Sequence, residues 1–465
     1  MRYVGGDLQA QFMARIRGLD LERCLVVPVD VGKSSALALV ADHYGEVVVA
    51  PFEFELTEGG LRLLIASVAR ADAARAAVGV RIGVEAAGHY HRTLVSRLRA
   101  ESFEVVELNP GAVKEARSQQ LLRGLKNDVR DLGAMAELLV RGAGRPSAVR
   151  TGTLAVQAAW AGHRRRKVKA HTALGNQVLG QLDLVFPGLG GCFEDILGTK
   201  VGRVMLRDLV EPARIRRLGL EGLRRYVGRR GVRLSRSKAA QVLSAAGDVL
   251  RLPDEEVAAL RPVLAADVAL LDALDAEIAR AEDELAQVLP ATPAGVLVTL
   301  PGVAVVRASN YGAEIGDPCR FRNADAAYRF SGLVPTSYES AGKARSGQRI
   351  TREGSVELRE AILELGRGLA QHEPDFRAYR ARLLAENKKK AVAAVAVGHR
   401  AHRLAFALLR SQQPYDPARW VRSVATGRSV MAKTPKEVHQ NDVTCPPPVA
   451  TMAHAGTSNN IAAIV

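Results

Sequence analysis

The sequence Cys24-Leu-Val-Val-Pro-Val-Asp30 is an apolar run that ends on an acid, the pattern of a buried β-strand with a charged tip. Gly32-Lys33-Ser34-Ser35 then predicts a turn, and the apolar residues 36–40 predict a second strand. After another turn, residues 46–54 predict a third strand. Because short turns join neighbouring antiparallel strands, we expect the chain to begin with a three-stranded antiparallel sheet.

The next part of the chain alternates between helix and strand patterns. Apolar residues with helical spacing lie over residues 59–70, and a buried-type strand over residues 78–84 ends on Glu85. A helix and a further strand follow over residues 90–108, after which the pattern is helical. Strands that alternate with helices after an antiparallel start are typical of a mixed α/β sheet, which here favours an RNase H-like class.

These patterns divide the chain into a leader over residues 1–22, an α/β RNase H-like domain over 23–155, a basic helical region over 156–290, a mostly α-helical C-terminal domain over 291–410 and a tail without regular structure over 411–465. Within the basic region, apolar residues recur in steps of three and four from Leu264 to Val288. This spacing predicts a central long helix over about 256–289. By periodicity alone, this helix either packs on its own domain or forms a coiled coil with a second copy.

The chain carries a strong excess of positive charge. Its 465 residues include 65 Lys and Arg against 49 Asp and Glu, for a formal net charge of +16. Such an excess favours a polyanionic partner, and nucleic acid comes before a membrane surface because no basic amphipathic segment stands out. A general compositional drift towards arginine is the alternative. The charge is concentrated over residues 163–169 and 214–238, which are candidates for binding an RNA or DNA backbone.

The sequence shows no sign of export or of a cysteine zinc site. Its first residues, Met1-Arg-Tyr-Val-Gly-Gly-Asp7, contain no apolar signal region, and no window approaches the apolar length that spans a bilayer. The four cysteines include no Cys-x-x-Cys pair. We therefore expect a cytoplasmic protein that does not enter a membrane.

Four carboxylates stand at the ends of predicted elements: Asp30, Glu85, Asp128 and Asp131. Hard carboxylate oxygens bind Mg²⁺ or Mn²⁺, and two such ions can hold the attacking and leaving oxygens of a phosphodiester. Asp128 and Asp131 are three residues apart and share one helix face. Each acid alone is more often structural, and Asp30 alone could also open an actin-like ATPase. Their combination favours a nuclease site with two metal ions.

Blocks around these acids resemble the motifs of a known family, the DEDD-type insertion-sequence transposases. The N-terminal blocks are Val29-Asp30-Val31-Gly32-Lys33, Gly83-Val84-Glu85-Ala86-Ala87-Gly88-His89-Tyr90, Asn109-Pro110 with Lys114, and Lys126-Asn127-Asp128-Val129-Arg130-Asp131. The C-terminal blocks are Leu300-Pro301-Gly302-Val303, Ser331-Gly332-Leu333-Val334-Pro335, Glu339-Ser340-Ala341-Gly342-Lys343 and Ile350-Thr351-Arg352. The resemblance spans about residues 24–410, with departures from the common residues at Asn127 and Ala341.

The resemblance implies a DNA recombinase with a RuvC-like N-terminal domain, in which Ser340 of the C-terminal domain is the nucleophile and joins covalently to DNA. Without the resemblance, Ser340 would be a loop serine that makes a turn hydrogen bond. The family is understood to be guided by a structured bridge RNA, so the expected partners are DNA, a guide RNA and further copies in a homodimer or tetramer. The expected nucleic-acid contacts are Lys33, Lys114, Lys126, Arg130, Arg164, Arg165, Arg166, Lys167, Lys343, Arg345, Arg349 and Arg352.

Two other functions remain open on the sequence. A Holliday-junction-type endonuclease would use the same four acids with water as the nucleophile and would give Ser340 no role. A catalytically inactive nucleic-acid-binding regulator would keep the fold without cleavage. A Ser340→Ala variant tests the first alternative, and an Asp30→Ala variant tests the second.

Overall fold

The structure is a computed structural model that describes residues 14, 17–86, 88–119, 128–146, 150–247, 250, 252–335, 339–340, 343–344 and 349–417. For residues 339–340 and 343–344 the backbone alone is described. Contacts divide the chain into two compact units, Met1–Val149 and Arg150–Val465. Most of the predicted leader and tail lies outside the described residues.

A six-stranded sheet forms the centre of the first unit. Its strands are β1 Cys24–Val31, β2 Ser35–Asp42, β3 Val47–Glu55, β4 Gly79–Glu85, β5 Glu104–Leu108 and β6 Arg145–Pro146. They lie in the order β3-β2-β1-β4-β5-β6. The pairs β1–β2 and β2–β3 are antiparallel, as predicted, whereas β4 and β5 extend the sheet parallel to β1. This mixed sheet is compatible with an RNase H-like domain.

Helices cover both faces of the sheet. They are α1 Glu58–Arg75, α2 His91–Ala100, α3 Pro110–Gln119 and α4 Asp128–Val140. Successive side chains of a strand point to opposite faces. Val27 and Val29 of β1 pack in the core formed with α1 and α2, whereas Val26 packs with Leu132 and Met135 of α4. The alternation therefore directs the even-numbered residues of β1, including its acid, to the α4 face.

The second unit contains two long helices that pair in antiparallel fashion, a pair that we call the stalk. The helices are α5 Gly152–Val185 and α9 Asp254–Val288. The hydrogen bonds that show the opposite chain directions join Thr153 with Ala291, His163 with Glu277 and Gln181 with Asp267. Rising residue numbers on the first helix thus meet falling numbers on the second.

The predicted central helix is α9, and its apolar face is used within the chain. Leu264, Val268 and Leu271 are buried in one core with Val178 and Leu182 of α5. The apolar repeat allowed packing either on the same chain or on a second copy, and the structure shows that α5 of the same chain packs on this face. A coiled coil with a second copy remains a prediction.

A small helical bundle, which we call the head, occupies the chain between the stalk helices. Its helices are α6 Lys200–Asp208, α7 Pro212–Gly228 and α8 Arg236–Gly247. Met205, Leu223 and Val242 of the head share a core with Val178 of α5 and Val268 of α9. The head therefore sits at the end of the stalk opposite the start of α5.

The C-terminal part of the second unit is mostly helical. Its helices are α10 Val305–Ile315, α11 Ala324–Phe330, α12 Val356–His372, α13 Pro374–Ala385 and α14 Lys390–Ser411. Helices α12 and α14 cross closely, since a Cβ built on Gly366 would lie 2.9 Å from the Cα of Gly398. Two short strands, β7 Glu339–Ser340 and β8 Lys343–Ala344, form an antiparallel hairpin.

Helix α14 corrects the expectation that no segment reaches membrane-spanning length. Among the described residues it is the one helix that is long and apolar enough to cross a membrane, by length and composition alone. Of its apolar window, 56% is buried inside the protein. Ala401, Ala405 and Leu408 belong to the C-terminal core, so the apolar character of α14 matches its packing there.

Candidate metal centre and serine hairpin

Three carboxylates of the first unit lie close together. Asp30 lies near the end of β1, Asp128 is the first residue of α4, and Asp131 lies one helical turn further on. One oxygen from each carboxylate lies within 4.8 Å of the other two. Asp128 is exposed, Asp30 is half-buried and Asp131 is buried. The strand face and the i, i+3 spacing on the helix explain why these acids converge.

The sheet places Glu85 beside this cluster. Val29 of β1 is in register with Val84 of the parallel strand β4, so Asp30 and Glu85 follow at the same level of neighbouring strands. A Cβ on Gly83 would lie 2.5 Å from Leu139 of α4, which identifies the face to which Glu85 also belongs. The described group within 4.8 Å nevertheless consists of the three aspartates. Glu85 as a metal ligand therefore stays a prediction.

Arg117 of α3 is a site residue that the sequence did not reveal. Its Nη1 donates to both carboxylate oxygens of Asp131, at 2.6 and 2.8 Å. The Asp131 side chain is only 5% exposed, so its charge needs a partner inside the protein. No motif links two residues on separate helices. The sequence offered only indirect information about Arg117: if one of the clustered acids is buried, a cation is expected near it.

The donor set suits a hard divalent cation. Carboxylate oxygens are the ligands that Mg²⁺ and Mn²⁺ prefer, and three carboxylates this close repel one another unless positive charge lies between them. Arg117 already relieves this repulsion at Asp131. Asp30, Asp128 and Asp131 are therefore the residues that could hold a metal ion, with Arg117 fixing the orientation of the most buried one.

The predicted nucleophile lies in the second unit, at the turn of the β7–β8 hairpin. The backbone of Ser340 pairs with that of Lys343 across the hairpin. Ala341, Gly342 and Arg345 lie outside the described residues. The acid cluster belongs to the first unit and Ser340 to the second.

Two chain segments anchor the hairpin, and we call residues 330–335 and 350–355 the hairpin base. The backbone N–H of Thr351 donates to the carbonyl of Val334 at 2.9 Å, and that of Arg352 donates to Gly332 at 3.0 Å. Pro335 and Ile350 form an antiparallel bridge between the same segments. The hairpin thus emerges from a base that backbone hydrogen bonds hold together.

Arg359 of α12 reinforces the hairpin base. Its Nε donates to the carbonyl of Ser331 at 3.0 Å, and its Nη2 donates to the carbonyl of Arg352 at 2.9 Å. Gly354 lets the two segments approach, because a Cβ there would lie 2.3 Å from the carbonyl oxygen of Phe330. Ser331 and Arg352 belong to two of the sequence blocks that resemble the family, and these contacts show that the two blocks meet in the fold.

Comparison with known proteins identifies the family. A family model described as a transposase, of the DEDD type, matches residues 27–187, and a model of the transposase IS116/IS110/IS902 family matches residues 294–381. The chain belongs to the IS110 family of DEDD transposases. The first match contains the aspartate cluster of this transposase, and the second contains the serine hairpin.

Relatives of the transposase support the same assignment. A Pseudomonas aeruginosa protein named as a probable family 20 transposase is 27% identical over 345 residues, which cover 72% of this chain and 86% of the relative. An uncharacterized 44.8 kDa protein of insertion element IS116 from Streptomyces clavuligerus is 26% identical over 334 residues, covering 70% of this chain and 80% of the relative.

The residues of the transposase that were predicted to contact nucleic acid lie in both units. Around the acids, Lys33 and Lys114 are exposed, Arg130 is half-buried, and Lys126 lies outside the described residues. At the hairpin base, the side chains of Arg349 and Arg352 are exposed. These cations lie at the surface of their own units.

The basic tract over residues 163–169 is partly turned inward in the transposase. Arg164 pairs with Glu282 of α9 at 2.7 Å, and Arg165 pairs with Glu314 of α10 at 3.3 Å. Arg166 is exposed and Lys167 is half-buried. Two of the four cations predicted to bind nucleic acid here therefore hold the stalk and the C-terminal helices together.

Proposed function

We propose that this transposase cuts and rejoins DNA strands with divalent metal ions held by Asp30, Asp128 and Asp131, and with Ser340 as the nucleophile. The observation that carries the proposal is the approach of the three carboxylates to within 4.8 Å of one another. Glu85, at the same level of the neighbouring strand, is proposed as the fourth acid of the group.

The residues of the cluster have distinct tasks in this proposal. Bound metal ions supply Lewis acidity towards a phosphodiester and neutralise charge that develops on its oxygens. Asp30 is fixed by a central strand, and Arg117 holds Asp131 in one orientation. Asp128 is exposed at the start of α4, where it faces the solvent from which DNA approaches. A rigid strand and a clamped carboxylate hold ligands in place before the substrate arrives.

The proposed covalent step conserves the phosphodiester bond energy. The Ser340 hydroxyl loses its proton to a base, and its oxygen forms a bond to phosphorus. The bond between phosphorus and a bridging deoxyribose oxygen breaks, and that oxygen takes up a proton. A hydroxyl of the second DNA strand then attacks the phosphoserine, which releases Ser340 and joins the new strand.

Further partners complete the proposal. Lys33, Lys114 and Arg130 near the acids, with Lys343, Arg349 and Arg352 near the serine, are proposed to hold phosphates. A guide RNA and assembly into a dimer or tetramer are proposed from the family resemblance, since recombination brings two DNA partners together.

The test is trapping of a protein–DNA adduct on end-labelled DNA that carries an element end, with Mg²⁺ or Mn²⁺ and the element's noncoding RNA present. Wild-type protein should yield an adduct that survives denaturation, and phosphoserine should be found at residue 340. Ser340→Ala should abolish the adduct, whereas Ser346→Ala, a serine of the same sequence segment, is the matched control. Asp30→Asn should abolish cleavage. Cutting that survives intact in Ser340→Ala, without an adduct in the wild type, would replace this proposal with water-dependent endonuclease activity.

A further inference from the structure

The head is a part of the chain that neither transposase model covers. The matches end at residue 187 and resume at residue 294, whereas the helices of the head lie between Lys200 and Gly247. Its sequence is nevertheless strongly basic. Between residues 212 and 247 the only acid is Glu221, and Arg224 pairs with it at 3.1 Å.

Several cations of the head serve its own packing. The guanidinium groups of Arg214 and Arg230 lie 5.1 and 3.9 Å from the ring centre of Tyr226. Arg216 donates to the carbonyl of Ala246 at 2.5 Å. Such cations have found partners inside the protein and are not free for another molecule.

A second group of arginines faces solvent. The members of this group, which we call the arginine ridge, are Arg217, Arg225, Arg229, Arg233 and Arg236. All five side chains are exposed, and none has an ion pair or a side-chain hydrogen bond among the described residues. Five charges without an acidic partner in the described part of the chain create a positive potential on this small bundle, which an anionic surface would neutralise.

The hairpin of α7 and α8 concentrates four members of the ridge. Arg225 lies in the last turn of α7, and Arg229 is its C-cap one turn later. Arg233 lies in the connection, and Arg236 begins α8. A row of guanidinium groups along a helix end and the following turn suits a polymer with regularly spaced phosphates.

The aromatic residues of the head favour a duplex over unpaired bases. Proteins that bind single strands stack bases on exposed aromatic rings. In the described head, Phe193 and Tyr226 are half-buried, and Lys238 and Arg230 lie over their rings. The exposed surface thus offers guanidinium groups for a phosphate backbone and little for stacking.

We propose that the head binds the phosphate backbone of double-stranded DNA through the arginine ridge. The choice of DNA as the partner rests on the proposed recombinase function. Helix α5 has 34 residues, so the stalk carries the head about 50 Å from its other end, at 1.5 Å per residue. The ridge contacts phosphates rather than base edges, so its binding does not depend on the DNA sequence.

The test compares nucleic-acid binding by the full-length protein, freed of co-purified nucleic acid, for three variants. The ridge variant carries Arg225→Gln, Arg229→Gln and Arg233→Gln. The charge-matched control carries Arg62→Gln, Arg70→Gln and Arg410→Gln, which are exposed arginines outside the head. A third variant replaces the same ridge residues with lysine. Binding of a labelled 40-bp DNA duplex of arbitrary sequence, a single strand and an RNA hairpin is measured between 0.05 and 0.3 M NaCl.

The ridge variant should bind the duplex roughly tenfold more weakly at 0.1 M salt, and the slope of log K against log salt should fall by about 2 to 3. The control should stay within twofold of wild type, and the lysine variant should recover most of the affinity. Equal losses in the ridge variant and the control, or a loss confined to the single strand or to RNA, would overturn the inference. The adduct assay is independent: an adduct without a ridge effect keeps the proposed function, and a ridge effect without an adduct keeps duplex binding.

Discussion

Nη1 of Arg117 donates to both oxygens of the Asp131 carboxylate, at 2.6 and 2.8 Å. Asp131 is 5% exposed at its side chain and Arg117 is 26% exposed, so the pair is largely withdrawn from water. Asp30 and Asp128 lie beside the same carboxylate. Arg117 is therefore a positioning residue, and it contributes positive charge where a metal ion would contribute more.

The Arg117–Asp131 pair predicts that Arg117→Gln lowers the stability of the metal-free protein and increases the stabilisation that Mn²⁺ provides. Without metal, the unpaired buried carboxylate should lower the free energy of unfolding by about 2–3 kcal/mol, less than for a fully buried pair because Arg117 is partly exposed. Mn²⁺ should then stabilise the variant more than the wild type, because the repelling guanidinium is gone. Urea unfolding with and without Mn²⁺ measures both effects.

Arg141→Gln, which breaks an exposed pair with Glu137, is the control for Arg117→Gln. It should change the free energy of unfolding by less than about 0.5 kcal/mol. Identical Mn²⁺ responses in the wild type and Arg117→Gln would show that the guanidinium charge does not oppose metal binding at this cluster.

Asp128 predicts a metal-binding defect without a folding defect. Its side chain is exposed, so Asp128→Asn should leave the free energy of unfolding within about 0.5 kcal/mol of wild type. Loss of one carboxylate ligand should weaken Mn²⁺ binding by roughly tenfold or more, as titration calorimetry can measure. Glu85→Gln should have a smaller effect on the first ion, because the three aspartates form the closest group. Unchanged Mn²⁺ affinity in Asp128→Asn would remove the cluster as a metal centre.

The sequence predicted the elements of the first unit better than the pairings that complete its site. The apolar run that ends at Asp30 and the i, i+3 spacing of Asp128 and Asp131 are local patterns, and the structure brings these three acids together. Arg117 escaped prediction because its partner lies on another helix, and contact between helices depends on packing rather than on local spacing.

In the second unit too, the sequence pattern predicted a helix but not its packing partner. The repeat of apolar residues predicted α9 to within two residues at its start, but a repeat specifies a face and not what covers it. The partner, α5, carries small and basic residues such as Gly162 and Arg164 that weaken its own apolar pattern. Likewise, charge alone could not separate Arg165, which pairs with Glu314, from the exposed Arg229.

His402 predicts a pH-dependent stability of the C-terminal core. Its Nε2 lies 2.7 Å from the carbonyl of Ala324 and must donate to it, so Nδ1 accepts from the Tyr311 hydroxyl at 2.9 Å. Burial lowers the pKa of His402 from 6.5 to about 4. The unfolded chain therefore gains a proton before the folded one, and the free energy of unfolding should fall as the pH drops from 6.5 to 4. The total loss should be about 3 kcal/mol, near 1.4 kcal/mol per pH unit.

The measurement for His402 is urea unfolding at several pH values between 7.5 and 4.5, for the wild type and His402→Gln. Carboxylates also titrate in this range, so the difference between the two proteins isolates the histidine. The variant should be less stable at pH 7.5, and the gap should narrow towards pH 4.5. A gap that stays constant with pH would show that His402 does not resist protonation in the folded protein.

Gly354 predicts a defect in DNA joining that spares the metal centre. A Cβ at this position would lie 2.3 Å from the Phe330 carbonyl oxygen, so Gly354→Ala must push apart the two segments of the hairpin base. Strain of this kind costs about 1–3 kcal/mol and displaces backbone, here the backbone that leads to Ser340. The yield of the Ser340 adduct should fall by roughly tenfold, because small displacements of a reacting group have large effects on rate. Mn²⁺ binding by the first unit should be unchanged.

Gly180→Ala is the control for Gly354→Ala. The helical Gly180 has no atom within 4 Å of an added Cβ, so this substitution should be neutral or slightly stabilising. A Gly354→Ala protein that forms the adduct at the wild-type rate would show that the hairpin base does not position the serine.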